Sequence, residues 1–244
     1  MNLLVTACDD PFFLSCLTMI GSVYHTSPDV VDRVLIYDLG LTALQKQRLT
    51  RIKNVEILGF PDYTSSFYPD YLEPKQYAWK MCCIKEAGQY GDLIFWLDSG
   101  IACLRNMREI YEEINRDHIF LVNNSSNHPI RTHLSPACER VMKITEEEKN
   151  APMISAGIQG YKTNGFYQDY VDDGFRWSQV KEAVHGSHAN HRHDQTVYSV
   201  LAHRHGLSDS LHDVEIYAQW RGISVVPNQF FYVHRRQYQN TRGL

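Results

Sequence analysis

The sequence contains no apolar run long enough to cross a membrane. Its longest such run, LIFWL at 93–97, is far shorter than the roughly 18 residues that a membrane-spanning helix needs. The first residues carry no basic side chain and turn acidic at Asp9 and Asp10 before an apolar stretch can develop, unlike a signal peptide. We therefore expect no transmembrane segment and no cleaved leader.

An excess of basic residues is also missing. Lys and Arg number 24 against 28 Asp and Glu, a net charge of −4, whereas nucleic-acid binding needs a basic face. The six cysteines include no C-x-x-C pair, which disfavours structural zinc on cysteine. Because most of them lie in apolar surroundings, as free thiols do, we expect a reducing compartment and a cytoplasmic location.

Glycine-rich phosphate loops are the third absence. A dinucleotide-binding site of the Rossmann type needs G-x-G-x-x-G between the first strand and the first helix. The turn at that place, TACDDP at 6–11, has no glycine, and no P-loop sequence occurs elsewhere. Nicotinamide and ATP chemistry of those kinds are therefore disfavoured.

What the sequence does contain is a regular alternation of short β-rich runs and helical patterns. The run 93–97 is fully apolar between two aspartates, as expected of a central strand that is buried on both faces. The alternation predicts an α/β fold with an open, mostly parallel sheet flanked by helices, in one domain of residues 1–244. The predicted strands are 3–8, 34–37, 55–58, 93–97, 119–122 and 154–161, with a further strand near 223–226. Helix starts are predicted at Asp10 with Pro11, at Thr42 with Gln45, and at Asn106.

After Asn123 the alternation loosens. Residues 123–153 are rich in Asn, Ser, His and Pro, and residues 183–193 are rich in histidine. We predict that both are long surface loops, which in compact domains often bind ligands or cover a site.

Aspartates follow three of the predicted strands, at Asp9, Asp38 and Asp98. In open parallel sheets ligands bind beyond the carboxyl ends of the strands, so these side chains are expected near a ligand. Asp98 is the strongest candidate, because a carboxylate that closes a fully apolar strand pays a desolvation penalty unless it pairs or binds something.

Five segments in this order resemble the A-type fold of nucleotide-sugar glycosyltransferases, especially the glycogenin-like enzymes of family 8. They are LVTA at 4–7, the helix that carries Lys80, DLIFWLDSG at 92–100, ISAGIQGY at 154–161 and HDQ at 193–195. The resemblance implies a nucleotide-binding half, residues 1–122, and an acceptor-binding half, residues 123–244.

The resemblance also assigns residues to the donor. Thr6, Ala7 and Asp38 would contact the nucleoside, Lys80 the phosphate or the sugar, and Asp98 the ribose or a metal ion. Ser155, Ala156 and Gly157 match the small-residue strand of the family, which would let the backbone approach the sugar closely. The implied donor-binding set is Thr6, Ala7, Asp38, Lys80, Asp98, Ser99, Ser155, Ala156 and Gly157.

In the family, the central strand ends in D-x-D, whose carboxylates bind Mn²⁺ or Mg²⁺ on the diphosphate. Here the second aspartate is replaced by Gly100. Asp98 with His234 would remain as metal ligands, a weaker set, since Mg²⁺ is often held by one or two carboxylates plus substrate phosphates. Alternatively, Lys80 with Arg235 and Arg236 would neutralise the diphosphate without a metal.

The activity that the resemblance implies is transfer of a sugar from a nucleotide-sugar donor, a UDP-sugar being favoured, to a hydroxyl of a glycan or another acceptor. If the enzyme inverts, Asp194 would be the general base towards the acceptor hydroxyl. If it retains, Asp194 or Gln195 would flank the sugar on the face opposite the nucleotide.

Two other readings of the residues stay open. The first is a metal-dependent hydrolase built on the cluster His185, His188, His191, His193 and Asp194. Its spacing departs from the H-x-H-x-D-H of metallo-β-lactamase-like hydrolases. The second is an inactive module that binds nucleotide sugars, suggested by Gly100.

Overall fold

A six-stranded sheet runs through the protein, whose computed structural model describes residues 1–124, 128–213, 217–219 and 229–234. Its strands are β1 (Asn2–Cys8), β2 (Arg33–Asp38), β3 (Val55–Leu58), β4 (Leu93–Leu97), β6 (Ile119–Asn123) and β7 (Ile154–Lys162). A smaller sheet contains β5 (Ile101–Cys103), β8 (Tyr217–Gln219) and β9 (Phe231–Val233). The large sheet has the order β3-β2-β1-β4-β7-β6, and the small one the order β5-β9-β8.

The direction of one strand sets this sheet apart from a fully parallel one. β1 pairs in parallel with both β2 and β4, whereas β7 is antiparallel to both of its neighbours, β4 and β6. The predicted α/β class, the mostly parallel sheet and the central place of β4 are confirmed. The strand predicted near 223–226 lies outside the described residues. Every residue of β4 is buried, because helices cover both faces of the sheet.

Helices form a layer on each side of the sheet. One face packs against α1 (Phe13–Thr26) and α4 (Arg108–Asp117), and the other against α3 (Ala78–Ala87), α7 (Gln168–Ser178) and α9 (Asp194–Arg204). The remaining helices are α2 (Ala43–Leu49), α5 (Pro136–Met142), α6 (Glu146–Asn150) and α8 (Lys181–Val184). Among the described residues no helix has both the length and the apolar character to span a bilayer.

The structure corrects two of the predicted helix starts. Asp9, rather than Asp10, caps the first helical turn, its side chain accepting from the Phe12 amide at 3.1 Å. Asn106 accepts from the amide of Arg108 at 2.9 Å, but α4 itself begins at Arg108. The start at Thr42 is confirmed, since Thr42 and Gln45 form a reciprocal capping box.

The segment 123–153 is not one long loop, as far as it is described. Ser135 caps α5 and Thr145 caps α6, in the second case with Glu148 completing a capping box. Each side-chain oxygen satisfies an amide that the first turn of the helix leaves unpaired. Local capping therefore turns much of this polar segment into helix.

Candidate active site

Three charged side chains meet beyond the carboxyl end of β4. The ammonium of Lys80, from α3, lies 3.0 Å from Asp98 Oδ1 and 2.9 Å from Asp194 Oδ2. Only 3% of the Lys80 side chain and 5% of the Asp194 side chain are exposed, against 40% for Asp98. The tertiary structure thus joins one residue from each of three distant segments, of which only Asp98 faces solvent substantially.

The Lys80 ammonium has three oxygen neighbours, of which the first two belong to the ion-paired carboxylates. The third is the carbonyl of Ala156, at 3.3 Å. That carbonyl also accepts from the side-chain nitrogen of Gln159, Nε2, at 2.8 Å, and the side-chain oxygen of Gln159 accepts from the Tyr161 hydroxyl. A buried polar network on β7 therefore fixes Lys80 between the two carboxylates.

Burial and charge act against each other in this group. Burial raises the pKa of Asp194 to about 6, although the neighbouring Lys80 ammonium lowers it. Burial lowers the pKa of Lys80, but Asp194 and Asp98 outweigh this effect, and the net pKa is raised. Lys80 is therefore charged at neutral pH, and Asp194 titrates close to the range in which a general base operates.

Asp98 is held from several directions. Its backbone amide donates to the Gly157 carbonyl at 2.9 Å, and the indole N–H of Trp96 donates to its Oδ1 at 2.7 Å. A Cβ added at Gly157 would lie 2.8 Å from Asp98 Oδ2, so only glycine leaves room for the carboxylate. The small residue predicted to approach a sugar is seen here to approach Asp98.

Asp194 is the first residue of α9, and His193, rather than Asp194, occupies the N-cap position. His193 has φ 53° and ψ −124°, and Tyr77, directly before α3, has φ 58°. Their rings lie 5.5 Å apart. Residues other than glycine rarely adopt positive φ, because this conformation costs about 1 to 3 kcal/mol. Such strain clusters at functional sites.

Comparisons with known proteins bear on the fold around this group. Neither a protein-family model nor a curated protein matches the sequence. Mouse xyloside xylosyltransferase 1 superposes with a TM-score of 0.62 at 13% identity, covering 96% of this chain and 97% of that one. Galactosyltransferase LgtC, in complex with donor and acceptor sugar analogues, gives a TM-score of 0.62 at 12% identity, covering 96% and 87%.

A third structure is an active-site mutant of LgtC in which a glutamine is replaced by glutamate. It superposes with a TM-score of 0.57 at 12% identity, covering 97% of this chain and 91% of that one. The chain has a glycosyltransferase fold. The A-type fold predicted from the order of its segments is thereby confirmed, over nearly the whole chain.

In this glycosyltransferase fold, the other donor-binding candidates lie towards the carboxyl ends of β1, β2 and β4 and at the start of β7. Thr6 and Ala7 are buried in β1, and the Thr6 hydroxyl has no hydrogen-bond partner within the described residues.

Asp38, at the end of β2, has local partners. Its carboxylate accepts from the Gly40 and Leu41 amides at 2.9 and 2.8 Å and pairs with Lys46. Ser99 is buried after β4, and Ser155 is half-buried in β7.

Gln195 follows Asp194 in the first turn of α9 and is half-buried. Within the described part of the chain no hydrogen bond or ion pair involves its side-chain amide. Its amide is therefore available to a ligand at the same helix start that carries Asp194.

The expected metal ligands only partly come together. The His234 amide donates to the Gly100 carbonyl at 3.0 Å, so the end of β9 lies against the loop after β4. Position 100 offers no side chain, and Asp98 Oδ1 already contacts Lys80 and Trp96. No group of three or more His, Cys, Asp or Glu side chains in the described ranges is arranged to hold an ion. These residues do not form a metal site on their own. Arg235 and Arg236 lie outside the described residues.

The histidine-rich segment is not wholly on the surface, contrary to the prediction. His191 and His193 are buried, and their ring nitrogens lie 3.0 and 3.1 Å from the carbonyls of Ala183 and Val184. Burial lowers the pKa of each of these histidines to about 4. They anchor the start of α9 to α8, and nothing in the described part of the chain favours the hydrolase alternative.

Three residues at the site were not singled out by the sequence analysis: Tyr77, Trp96 and Gln159. Trp96 could have been found, because residues two apart in a strand share a face and Trp96 precedes Asp98 by two. The positive φ of Tyr77 and His193 leaves no such signal, since neither is a glycine.

Proposed function

We propose that the protein transfers a sugar from a nucleotide-sugar donor to a hydroxyl acceptor. The observation that carries the proposal is the ion-paired group Asp98–Lys80–Asp194, beyond the central strand of a glycosyltransferase fold. In the proposal, residues 1–122 are the nucleotide-binding half and residues 123–244 the acceptor-binding half, and the group contains one carboxylate from each. The donor and the acceptor would therefore meet at the Asp98–Lys80–Asp194 group.

In this proposal the nucleoside lies at the ends of β1 and β2, against Thr6, Ala7 and Asp38. A UDP-sugar is the favoured donor. Asp98 presents its solvent-facing carboxylate to the donor, and the backbone of Ser155, Ala156 and Gly157 lies against the sugar. Ser99 completes the donor set beside Asp98.

Asp194 is proposed as the general base if the configuration inverts. The acceptor hydroxyl gives its proton to Asp194 while its oxygen bonds to the anomeric carbon. The bond from that carbon to the diphosphate breaks, and the diphosphate leaves with the electron pair. A pKa raised by burial to about 6 suits this role, because Asp194 is ionised at pH 7 yet basic enough to accept a proton.

Gln195 is the candidate to flank the sugar if the configuration is retained. Its side-chain amide has no partner within the described residues, and LgtC, which shares the fold, has an active-site glutamine. The stereochemistry of the product, read from the coupling constant of the new anomeric proton, decides between the two roles.

Neutralisation of the diphosphate needs a further source of positive charge. The described group holds two carboxylates and one ammonium, and that ammonium is already ion-paired with both carboxylates and donates to the Ala156 carbonyl. Mn²⁺ or Mg²⁺ would have to enter with the donor, taking phosphate oxygens as ligands beside Asp98 and His234. Arg235 and Arg236 are the alternative source.

The test is a thermal-shift screen of the protein against UDP, GDP, dTDP and CMP and their sugar conjugates, each with Mn²⁺ and with EDTA. A ligand at 100 times its dissociation constant adds about 2.7 kcal/mol to stability, a clear upward shift. Stabilisation by one nucleotide is expected, and its loss in EDTA would place an ion with the donor. No shift with any nucleotide would contradict the proposal.

An inactive module that binds nucleotide sugars is the second candidate, favoured by Gly100 and the incomplete metal set. Tight nucleotide binding without transfer to any acceptor or release of free sugar would establish it.

For either function we propose a cytoplasmic location, supported by six free, buried cysteines. Mass spectrometry of alkylated protein isolated under acid quench checks this, since six alkylated thiols are expected.

A further inference from the structure

The feature that singles out Trp96 is its hydrogen bond to the candidate donor carboxylate. Its indole N–H lies 2.7 Å from Asp98 Oδ1, and the indole itself is 1% exposed. Both side chains project from the same face of the chain, because strand residues two apart point the same way. The bond therefore joins a rigid, buried ring to a carboxylate that is 40% exposed.

Both hydrogen-bonding groups on that side act on the same oxygen. Lys80 lies 3.0 Å from Oδ1 as well, and its ammonium lies 5.5 Å from the centre of the Trp96 ring. With Oδ1 engaged twice, the carboxylate cannot rotate without breaking both contacts. Oδ2 is left on the side of Gly157, whose missing side chain provides the space.

We propose that Trp96 is a positioning residue, whose indole N–H holds the Asp98 carboxylate so that Oδ2 alone is presented to the donor. The inference rests on the proposed function, in which Asp98 contacts the donor. Trp96 does not touch the donor itself and acts only through Asp98. In a chain with Gly100 in place of a second carboxylate, the orientation of the remaining one carries the recognition.

The chain supplies a matched control for the loss of this N–H. Trp79 lies in the same core, with its ring centre 6.2 Å from that of Trp96. It is 5% exposed, and its buried indole nitrogen has no hydrogen-bond partner within the described residues. Trp79→Phe therefore removes a comparable ring and an N–H that bonds to nothing, whereas Trp96→Phe also removes the bond to Asp98.

The experiment measures the dissociation constant of the nucleotide that stabilises the protein most, by calorimetry, in Trp96→Phe, Asp98→Ala, the double variant and Trp79→Phe. Trp96→Phe should weaken binding about tenfold, because hydrogen bonds to charged groups are among the strong ones. In the Asp98→Ala background the same change should alter binding less than twofold, since partners in one interaction are not additive. Trp79→Phe should alter it less than twofold.

Equal losses in Trp96→Phe and Trp79→Phe, or an undiminished loss in the Asp98→Ala background, would overturn the assignment. Urea unfolding of the same proteins separates a purely structural bond: coupling between Trp96 and Asp98 in stability, with unchanged nucleotide binding, would also overturn it. Failure of the wild-type protein to bind any nucleotide is a distinct result, which removes the proposed function and this assignment with it.

Discussion

Asp98 and Asp194 share one lysine but lie in contrasting surroundings. Asp98 ends a strand, is 40% exposed and is fixed by Trp96 and the Gly157 carbonyl. Asp194 begins a helix, is 5% exposed and follows a residue with positive φ. Asp98 is therefore accessible to a ligand from solvent, whereas burial raises the proton affinity of Asp194.

Removing the shared lysine should give the largest effect. Lys80→Met leaves two carboxylates facing each other without a counter-ion, which we expect to destabilise the fold by about 3 to 5 kcal/mol. Lys85→Met is the control on the same helix, since its ion pair with Asp172 is about one-third exposed and should cost under about 1 kcal/mol. Urea unfolding measures both, and equal losses would contradict a buried bridge.

Lys80→Met also has a consequence for activity. The lysine lowers the pKa of Asp194, so its removal should raise that pKa above 6. The acid limb of the rate profile should then move to higher pH. An unmoved limb in whatever folded protein remains would show that Asp194 is not the group that titrates.

Substituting the two carboxylates one at a time should separate their roles. Asp194→Asn keeps the size but cannot accept a proton, so turnover should fall about 10²- to 10⁴-fold with donor affinity nearly unchanged. Asp98→Ala should abolish transfer and weaken donor binding. Near-normal transfer by Asp98→Ala would contradict donor binding by Asp98. An Asp194→Asn effect confined to donor affinity would contradict a catalytic role of Asp194.

The start of α9 should respond to acid in a defined direction. His191 and His193, with pKa values lowered by burial to about 4, bind fewer protons when folded, so stability should be full above pH 6.5 and fall as the pH drops towards 4. Asp194, with its pKa raised to about 6, works in the opposite sense between pH 6 and 4. Because two histidines oppose one carboxyl, the free energy of unfolding should fall by about 3 kcal/mol between pH 7 and pH 4.

Urea unfolding at pH 7, 6, 5 and 4 measures this loss. His191→Leu should flatten the dependence, whereas His25→Leu, at an exposed position of α1, should not. An unchanged slope in His191→Leu would mean that the histidine is not buried in its neutral form.

The smallest predicted effect concerns the glycine behind Asp98. Gly157→Ala would place a Cβ 2.8 Å from Asp98 Oδ2 and should cost about 1 to 3 kcal/mol or displace the carboxylate. Gly21→Ala, in α1 with nothing within 4 Å, should instead stabilise by about 0.4 to 1 kcal/mol. Thermal unfolding of the two variants provides the comparison, and a neutral Gly157→Ala would remove the steric reason for glycine there.

Much of the fold followed from local signals. The six strands of the large sheet and the capping box at Thr42 were predicted from neighbouring residues, whereas the short strands β5, β8 and β9 were not. The order of segments was enough to predict the glycosyltransferase fold. The antiparallel insertion of β7 between β4 and β6 could not be predicted, because the paired residues lie 31 to 69 positions apart and leave no periodic trace in the sequence. The prediction that the histidine-rich segment is a surface loop was wrong for a similar reason. Polar composition does not reveal that the rings of His191 and His193 are buried against backbone carbonyls.

For the candidate site, the sequence by itself determined the chemical types: an aspartate that closes an apolar strand, a lysine on the preceding helix and an aspartate before a late helix. The absence of a second carboxylate at Gly100 is also visible in the sequence. That Lys80 bridges Asp98 and Asp194, and that Trp96 binds the same oxygen of Asp98 as Lys80, followed from the tertiary structure. The physical reason is distance along the chain: periodicity and capping act within a few residues, whereas ion pairing in a buried site depends on which elements the sheet brings together.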